Sequence, residues 1–522
     1  MLKKLHGRKL AVCLIGGAMY ALFSAFGWQA EHGGVIWAGG ALLVAALLVW
    51  PIAALLAVLL ERGYTRTLRR EKTFRAGRAF AFILACYVPM FCVAFPGSFA
   101  YDVPYQLRQV VTGAYSTHHP LLHTLALGGL LQLGRALGDI NLGAALYTAL
   151  QMALLAGCFA LTCGSIARQS GARAAKRAAV FFALYPLNMV MAVNATKDVL
   201  FGGFFALTLA LLNEIREKPS RGLALKIAAC GALAVMLRNN MAYAALVWLA
   251  LLTLGLRKAE KSAALAMLLA LAVGLCGNAA LKRATRAESG DMSEMLSWPI
   301  QQLARARLYD EERLTDAEKE AIDELMPGEA WACYDPTISD PVKFEFDTQA
   351  FRADVKKYVG VWLSVGKKCA GTYLDATMAL TYPFFYPYRE YRVSGYYVQM
   401  GMSDAYDAGW CDFDPPESRS LFPRALTSLS WRFGAKGAMQ IPVVGWLFNM
   451  GVIVWTMLFF ALREMYWGRW RRFGTALLPV LLWGTFLLGP VMAGRYIYPF
   501  VCALPVLAAR PGRIVKEAER HG

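Results

Sequence analysis

The chain has 522 residues, of which 57% are hydrophobic and only 17% charged, with a formal net charge of +18. Soluble domains run near ~45–50% apolar and ~25% charged, so a soluble globular domain and a disordered chain are both excluded. Apolar stretches of membrane-spanning length recur instead, the pattern of an all-α polytopic membrane protein.

In chain order, MLKKLHGRK leads into a first apolar run without a small-residue cleavage pattern, so no cleavable signal is expected. About twelve spans are predicted, near 11–28, 35–60, 79–95, 141–167, 178–195, 199–213, 222–237, 241–256, 263–281, 441–462, 476–492 and 496–509. Residues 1–78 read as an accessory hairpin followed by the basic loop ERGYTRTLRREKTFRAGR. Residues 79–281 read as the main bundle, with a large loop at 96–140. LLHTLALGGLLQLG is apolar, but a span there would reverse the side of RQSGARAAKR, so 104–137 is predicted as interfacial helical pieces. Residues 282–435 form a polar insert of mixed structure, helical at first and then rich in Tyr, Pro and Gly, and 436–522 return to the membrane.

The positive charge has an address. The insert holds 24 of the 36 acids and 18 of the 54 bases. Of the remaining bases, 29 fall on one alternating set of connections and five on the short connections of the other set. That is the positive-inside asymmetry, so the basicity predicts cytoplasmic termini and contact with membrane lipids rather than nucleic acid. The 96–140 loop and the insert are then expected outside a bacterial cytoplasmic membrane. Cys333, Cys369 and Cys411 would share that outer insert, where a disulfide among them is open.

On the expected outer side the bundle offers four acids, Glu31, Asp102, Asp139 and Asp198. The bases there are Arg108, Arg135, Lys197, Arg238 and Arg495, with Lys436 beside the tenth span. Ionisable groups are costly near the hydrocarbon, so their placement in turns as tight as NATKD and LRNN predicts a polar, cationic cavity. Asp102, Gln106 and Gln109, spaced i, i+4, i+7, would share one helix face and present a carboxylate to a substrate hydroxyl. An interfacial helix cap is the plain alternative. His118 and His119 read as hydrogen-bonding groups. The weaker alternative is a divalent metal held by Asp102, His119 and His123, and no cofactor is required. Lys197 with Asp198 reads either as a self-satisfied pair or as part of a phosphate site, and Arg238 with Asn239 and Asn240 either as a cap or as phosphate ligands. Arg495 adds a third cation on a third turn, and arginine's fork suits phosphate oxygens. Insert aromatics Trp331, Tyr382, Tyr386, Tyr388 and Trp410 read mainly as domain core and anchors, with sugar stacking as the alternative.

An acid in the first outer loop, interfacial helices, HHP, a KD turn and an RNN turn together resemble the GT-C superfamily of integral-membrane glycosyltransferases, which use polyprenyl-phosphate sugars. Within it the chain resembles bacterial membrane proteins with a D-x3-Q…HHP loop, here Asp102, Gln106 and His118-His119-Pro120, and the resemblance covers about residues 79–281. The resemblance implies a GT-C-like bundle and a sugar transferred from a polyprenyl-phosphate donor to a glycan, lipid or protein acceptor at the outer membrane face. It places the general-base role on Asp102 and phosphate binding on Arg238, Lys197 and Arg495. Many members pair two acids in this loop; here Tyr101 and Val103 flank Asp102, which weakens the case for a metal. The rival readings are a transporter or flippase for lipid-linked saccharides, which would carry ionisable groups in mid-span, an O-antigen-type polymerase or ligase, and a receptor whose insert binds a partner.

Overall fold

A computed structural model describes residues 5–32, 39–61, 67–68, 74–99, 102–253, 258–387, 416–434, 443–510 and 513–514. Tyr101, Tyr388, Trp410, Cys411 and Lys436, singled out above, lie outside the described residues.

The architecture is helical. Among the described residues, six helices are long and apolar enough to cross a membrane: α1 (Arg8–Glu31), α2 (Gly39–Glu61), α3 (Ala76–Ala94), α6 (Ile140–Ser170), α9 (Lys197–Glu217) and α12 (Lys258–Thr285). This is the make-up of a helical membrane protein. Between α3 and α6 lie two shorter helices, α4 (Asp102–Thr112) and α5 (Leu121–Ala136), where helical pieces were expected. The other elements of this half are α7 (Ala172–Leu184), α8 (Pro186–Ala192), α10 (Arg221–Leu237) and α11 (Asn239–Thr253).

One predicted span differs. The run 178–195 is two helices, because Pro186 has no N–H to continue α7 and holds Tyr185 in an extended conformation; Pro186 then opens α8. Among the described residues the insert is helical rather than mixed: α13 (Ser297–Tyr309), α14 (Asp316–Leu325), α15 (Asp340–Lys343), α16 (Thr348–Ala353), α17 (Val355–Lys368) and α18 (Ala370–Thr381). Short polar caps explain why helices survive so many turns there. Thr315 and Glu318 form a reciprocal capping box on α14, and Asp347 and Asp354 cap α16 and α17. Cys333 and Cys369 are both free thiols. After α19 (Pro423–Gly434) come α20 (Met450–Tyr466), α21 (Trp470–Leu487) and α22 (Tyr498–Ala508). The predicted span 441–462 becomes α-helical only at Met450, where the Asn449 side chain caps the helix.

Helix α9 is the central post: 89% of its apolar window is buried, against 17–56% for the other five long helices. It is apolar all round, as a helix surrounded by helices must be, and it packs against α6, α10, α12, α21 and α22. Helices α5 and α6 approach closely because Gly134 and Gly143 face each other; a Cβ on Gly134 would stand 2.7 Å from the Gly143 Cα. Lys9, Glu61 and the Tyr466 hydroxyl meet at 2.7 Å and pin the α1–α2 hairpin to α20.

The ion pairs sort to the two ends of the bundle. At one end Arg168 pairs with Glu214 and Arg216 with Glu260. A two-residue parallel pair, Thr67–Leu68 with Arg513–Ile514, joins the basic loop to the chain's C-terminal segment. The opposite end carries the turns that hold the candidate site.

The insert has its own apolar core, built from residues such as Ile300, Leu303, Ile322, Leu325, Phe351 and Val365. Tyr382 and Tyr386 do not belong to it. They bury in the main bundle, Tyr386 against Gly27 of α1, which makes them core side chains. Trp331 lies under the Arg307 guanidinium, 4.6 Å from its ring.

Candidate functional site

Three helix ends meet here. Asp102 opens α4, Lys197 and Asp198 open α9, and Arg238 closes α10. Each carboxylate thus sits at a helix N-terminus and Arg238 at a C-terminus, where the helix dipoles favour these signs. Arg495 enters from the turn before α22.

Arg495 is the hub. Its Nη1 lies 2.8 Å from Asp102 Oδ2 and its Nη2 3.2 Å from Oδ1, a two-pronged grip, and its Nε lies 3.7 Å from Asp198 Oδ2. Asp198 also forms an ion pair with Arg238. Lys197 Nζ stands 3.4 Å from both Asp102 Oδ2 and His119 Nδ1. The Arg238 guanidinium lies over the rings of Phe486 and Tyr496, at 4.4 and 4.5 Å, and Arg495 lies 5.4 Å from the Tyr496 ring. Asp102, Asp198, Arg238 and Arg495 are each at most 9% exposed. Among the described residues, three cations therefore face two carboxylates in this buried setting.

Burial by itself pushes the Asp102 carboxyl up. The Arg495 guanidinium and the Lys197 ammonium outweigh it and hold the group well below the ordinary carboxylate range. For His119, burial and then the Lys197 charge push the imidazole well below its usual value, so the ring is neutral and Nδ1 accepts from the ammonium. Asp102 is thus a charged anchor in this arrangement, one member of a buried ionic cluster.

Gln106 and His123 do something else. The Gln106 amide donates to His123 Nδ1 at 2.9 Å and to the Thr124 hydroxyl at 3.0 Å. His123 Nε2 lies 2.8 Å from the Tyr147 hydroxyl, which donates to Gln151 Oε1 at 3.0 Å. The Gln151 amide then donates to the carbonyls of Ala192 and Asn194 at 3.0 and 2.9 Å. Since the Tyr147 proton goes to Gln151, His123 must donate from Nε2 and accept at Nδ1, the neutral tautomer. Burial agrees, lowering His123 to about 3. The relay fastens α4, α5 and α6 to the turn that leads into Lys197. In this relay Gln106 faces α5, and both ring nitrogens of His123 are engaged by protein partners. Among the described residues no three His, Cys, Asp or Glu side chains come together as a metal-holding group, so Asp102, His119 and His123 do not form a ligand set.

The remaining predicted residues divide. Gln109 Oε1 accepts from the Ser116 backbone N–H at 3.0 Å, which folds the histidine loop back on α4. His118 is half exposed, with Nδ1 4.0 Å from Glu294 of the insert. Asn240 donates to the Thr485 hydroxyl at 3.2 Å and joins α11 to α21, whereas Asn239 is exposed. Asp139 caps α6 and pairs with Arg419 at 2.8 Å, away from the cluster. Tyr496 was not anticipated; its adjacency to Arg495 in GRYIYP was the available signal.

The insert braces both loops of the site. Thr117 N–H donates to the Glu288 carbonyl at 2.9 Å, two residues before His119. Trp298 Nε1 donates to the Leu487 carbonyl at 2.6 Å and Ser339 N–H to the Pro490 carbonyl at 2.9 Å, on the segment that leads to Arg495.

Residues 109–521 match a family of unknown function (DUF6020). The chain belongs to that family. The match takes in the insert and the last helices, which the resemblance noted above left out, and it begins beyond Asp102 and Gln106. It includes His119, Lys197, Asp198, Arg238 and Arg495. No curated protein and no solved structure matches the chain.

Proposed function

We propose that this protein is a membrane glycosyltransferase of GT-C type, moving a sugar from a polyprenyl-phosphate donor to an acceptor hydroxyl. We place it in a bacterial cytoplasmic membrane, with about twelve spans, both termini cytoplasmic, and the Asp102 cluster and insert on the outer face. The sidedness rests on the charge asymmetry of the connections.

The observation that carries the reading is the Arg495 fork. A donor phosphate suits this cation-rich cluster, and it competes with Asp102 and Asp198 for Arg495, Lys197 and Arg238. As the guanidinium turns to phosphate oxygens, Asp102 loses its strongest partner and its basicity rises. The acceptor hydroxyl then attacks the anomeric carbon and its proton passes to the Asp102 carboxylate. The new C–O bond forms while the bond to the phosphate oxygen breaks, and the polyprenyl phosphate leaves with that electron pair. Positioning and charge stabilisation account for most of such a reaction. The cluster lies at helix ends rather than in mid-span, which favours an enzyme over a transporter.

The test is purified protein incubated with a panel of polyprenyl-phosphate sugars and acceptors, read by mass spectrometry, with Asp102→Asn alongside. Transfer by the wild type and its loss in the variant are expected. Movement of intact lipid-linked sugar across vesicles without C–O cleavage would establish the flippase reading instead.

A further inference from the structure

Two clefts in the insert adjoin each other and are opposite in character. The first is a wholly apolar cavity of about 160 Å³ between α13, α14, α16 and α17, walled by Ile300, Leu303, Leu325, Phe351, Val359 and Trp362. The polar atoms of its aromatic walls are engaged elsewhere: Trp362 Nε1 donates to Gln302 Oε1 at 2.8 Å and the Tyr358 hydroxyl to Glu324 at 2.9 Å. The second is a polar cleft of about 500 Å³ lined by Ser289, Asp291, Asp347, Thr348, Gln349 and Arg352. Phe346 lines both, so a single ring is common to the two walls.

The polar cleft mixes carboxylate, guanidinium, amide and hydroxyl, the set needed for the alternating donors and acceptors of a saccharide rather than for one ion. Its two acids are oriented by bonds to Oδ1: Asp291 accepts from Ser293 N–H and the Thr348 hydroxyl, and Asp347 from the N–H groups of Gln349 and Ala350. The cleft is also tied to the ionic cluster. Gly290 N–H, on its rim, donates to the Thr117 hydroxyl at 3.0 Å, and two residues further His119 meets Lys197.

We infer that the joined clefts bind the acceptor, and that this acceptor is a glycolipid, with its saccharide head in the polar cleft and its apolar chain in the cavity. A soluble glycan leaves the apolar cavity unfilled, and a bare lipid leaves the polar cleft without partners. The word acceptor rests on the proposed function; the binding of a sugar-headed lipid does not.

The test uses the full chain in lipid nanodiscs and an alkyl glucoside with a photoreactive diazirine on its chain, followed by peptide mass spectrometry. Labelling is expected on peptides spanning 296–303 and 355–362. Unlabelled alkyl glucoside should compete it away, while glucose or an alkanol of equal length at the same concentration should not. Val359→Trp, which places bulk at a half-open wall, and Arg352→Ala, on the polar side, should each lower labelling about tenfold, with unfolding temperatures confirming that both variants are folded. Equal competition by the alkanol, or labelling unchanged in folded Val359→Trp, overturns the inference. Labelling that passes these tests in a protein that transfers no sugar overturns the acceptor role and leaves a glycolipid-binding site.

Discussion

Arg495 holds Asp102 in a two-pronged grip across 393 positions of sequence, with nitrogen–oxygen distances of 2.8 and 3.2 Å, while its Nε faces Asp198. One guanidinium therefore links the first turn of α4 to the first turn of the central helix.

Arg495→Met leaves two buried carboxylates with Lys197 and Arg238 as their cations among the described residues. Removing one member of a buried ion pair costs roughly 3–5 kcal/mol, so a lowered unfolding temperature in detergent is expected, together with loss of donor binding. Arg495→Lys should restore charge without the fork and recover only part of both. A variant as stable as the wild type would remove Arg495 from its place as hub.

Asp102→Asn is nearly isosteric, and the sequence suggests that it leaves stability intact. The structure reverses that expectation, because the substitution takes a charge away from Arg495 and Lys197. Lower stability is expected, along with a fall in kcat of about 10²–10⁴-fold, the usual contribution of a positioned base. The donor KM should hold or drop, since the cations are then free for phosphate. A kcat within tenfold of wild type would end the base assignment.

Tyr147→Phe strands the His123 Nε2 donor and the Gln151 acceptor in a buried site. Such unpaired groups cost ~1–3 kcal/mol, so thermal unfolding should come earlier while bound metal, measured by elemental analysis of purified protein, stays unchanged. A change in metal content would return His123 to the ligand set.

Acid sensitivity should localise in the insert. Burial raises the Glu318 carboxyl, but bonds from Lys368, at 2.7 Å, and from the Thr315 backbone and Ser364 outweigh it and lower the group to about 2. Its folded value lies below the unfolded one, near ~4.3. The stabilisation is thus complete above that value and is lost as pH falls toward about 2. Hydrogen-exchange protection of α14 and α17, corrected for the intrinsic rate at each pH, should fall between pH 5 and pH 3, and Glu318→Gln should flatten that change. Asp102, also depressed, keeps its ion pairs over the same span, so the α4 terminus should remain protected.

Much of this was legible before any coordinates. Residues 11–28, 141–167 and 199–213 declare helices by their unbroken apolar runs, and α1, α6 and α9 follow them. Asp102, Lys197, Asp198, Arg238 and Arg495 stood out as charges in tight turns, and the fold brings those five together. The insert was harder: α14 lies in the stretch that reads as helical, but α15 to α17 are short and no long periodic run announces them. The partners of Gln106 and His123 were not legible, because their spacing suggests a shared face but does not say what that face meets.

By itself the sequence determined the helical membrane class and the two charged ends of the bundle, because hydropathy and charge asymmetry are local properties of the chain. Only the tertiary structure decided the partners: Arg495 with Asp102, Gln106 with His123, Phe346 between two clefts. Those meetings depend on how helices hundreds of residues apart cross and pack. Periodicity within one helix holds no record of that.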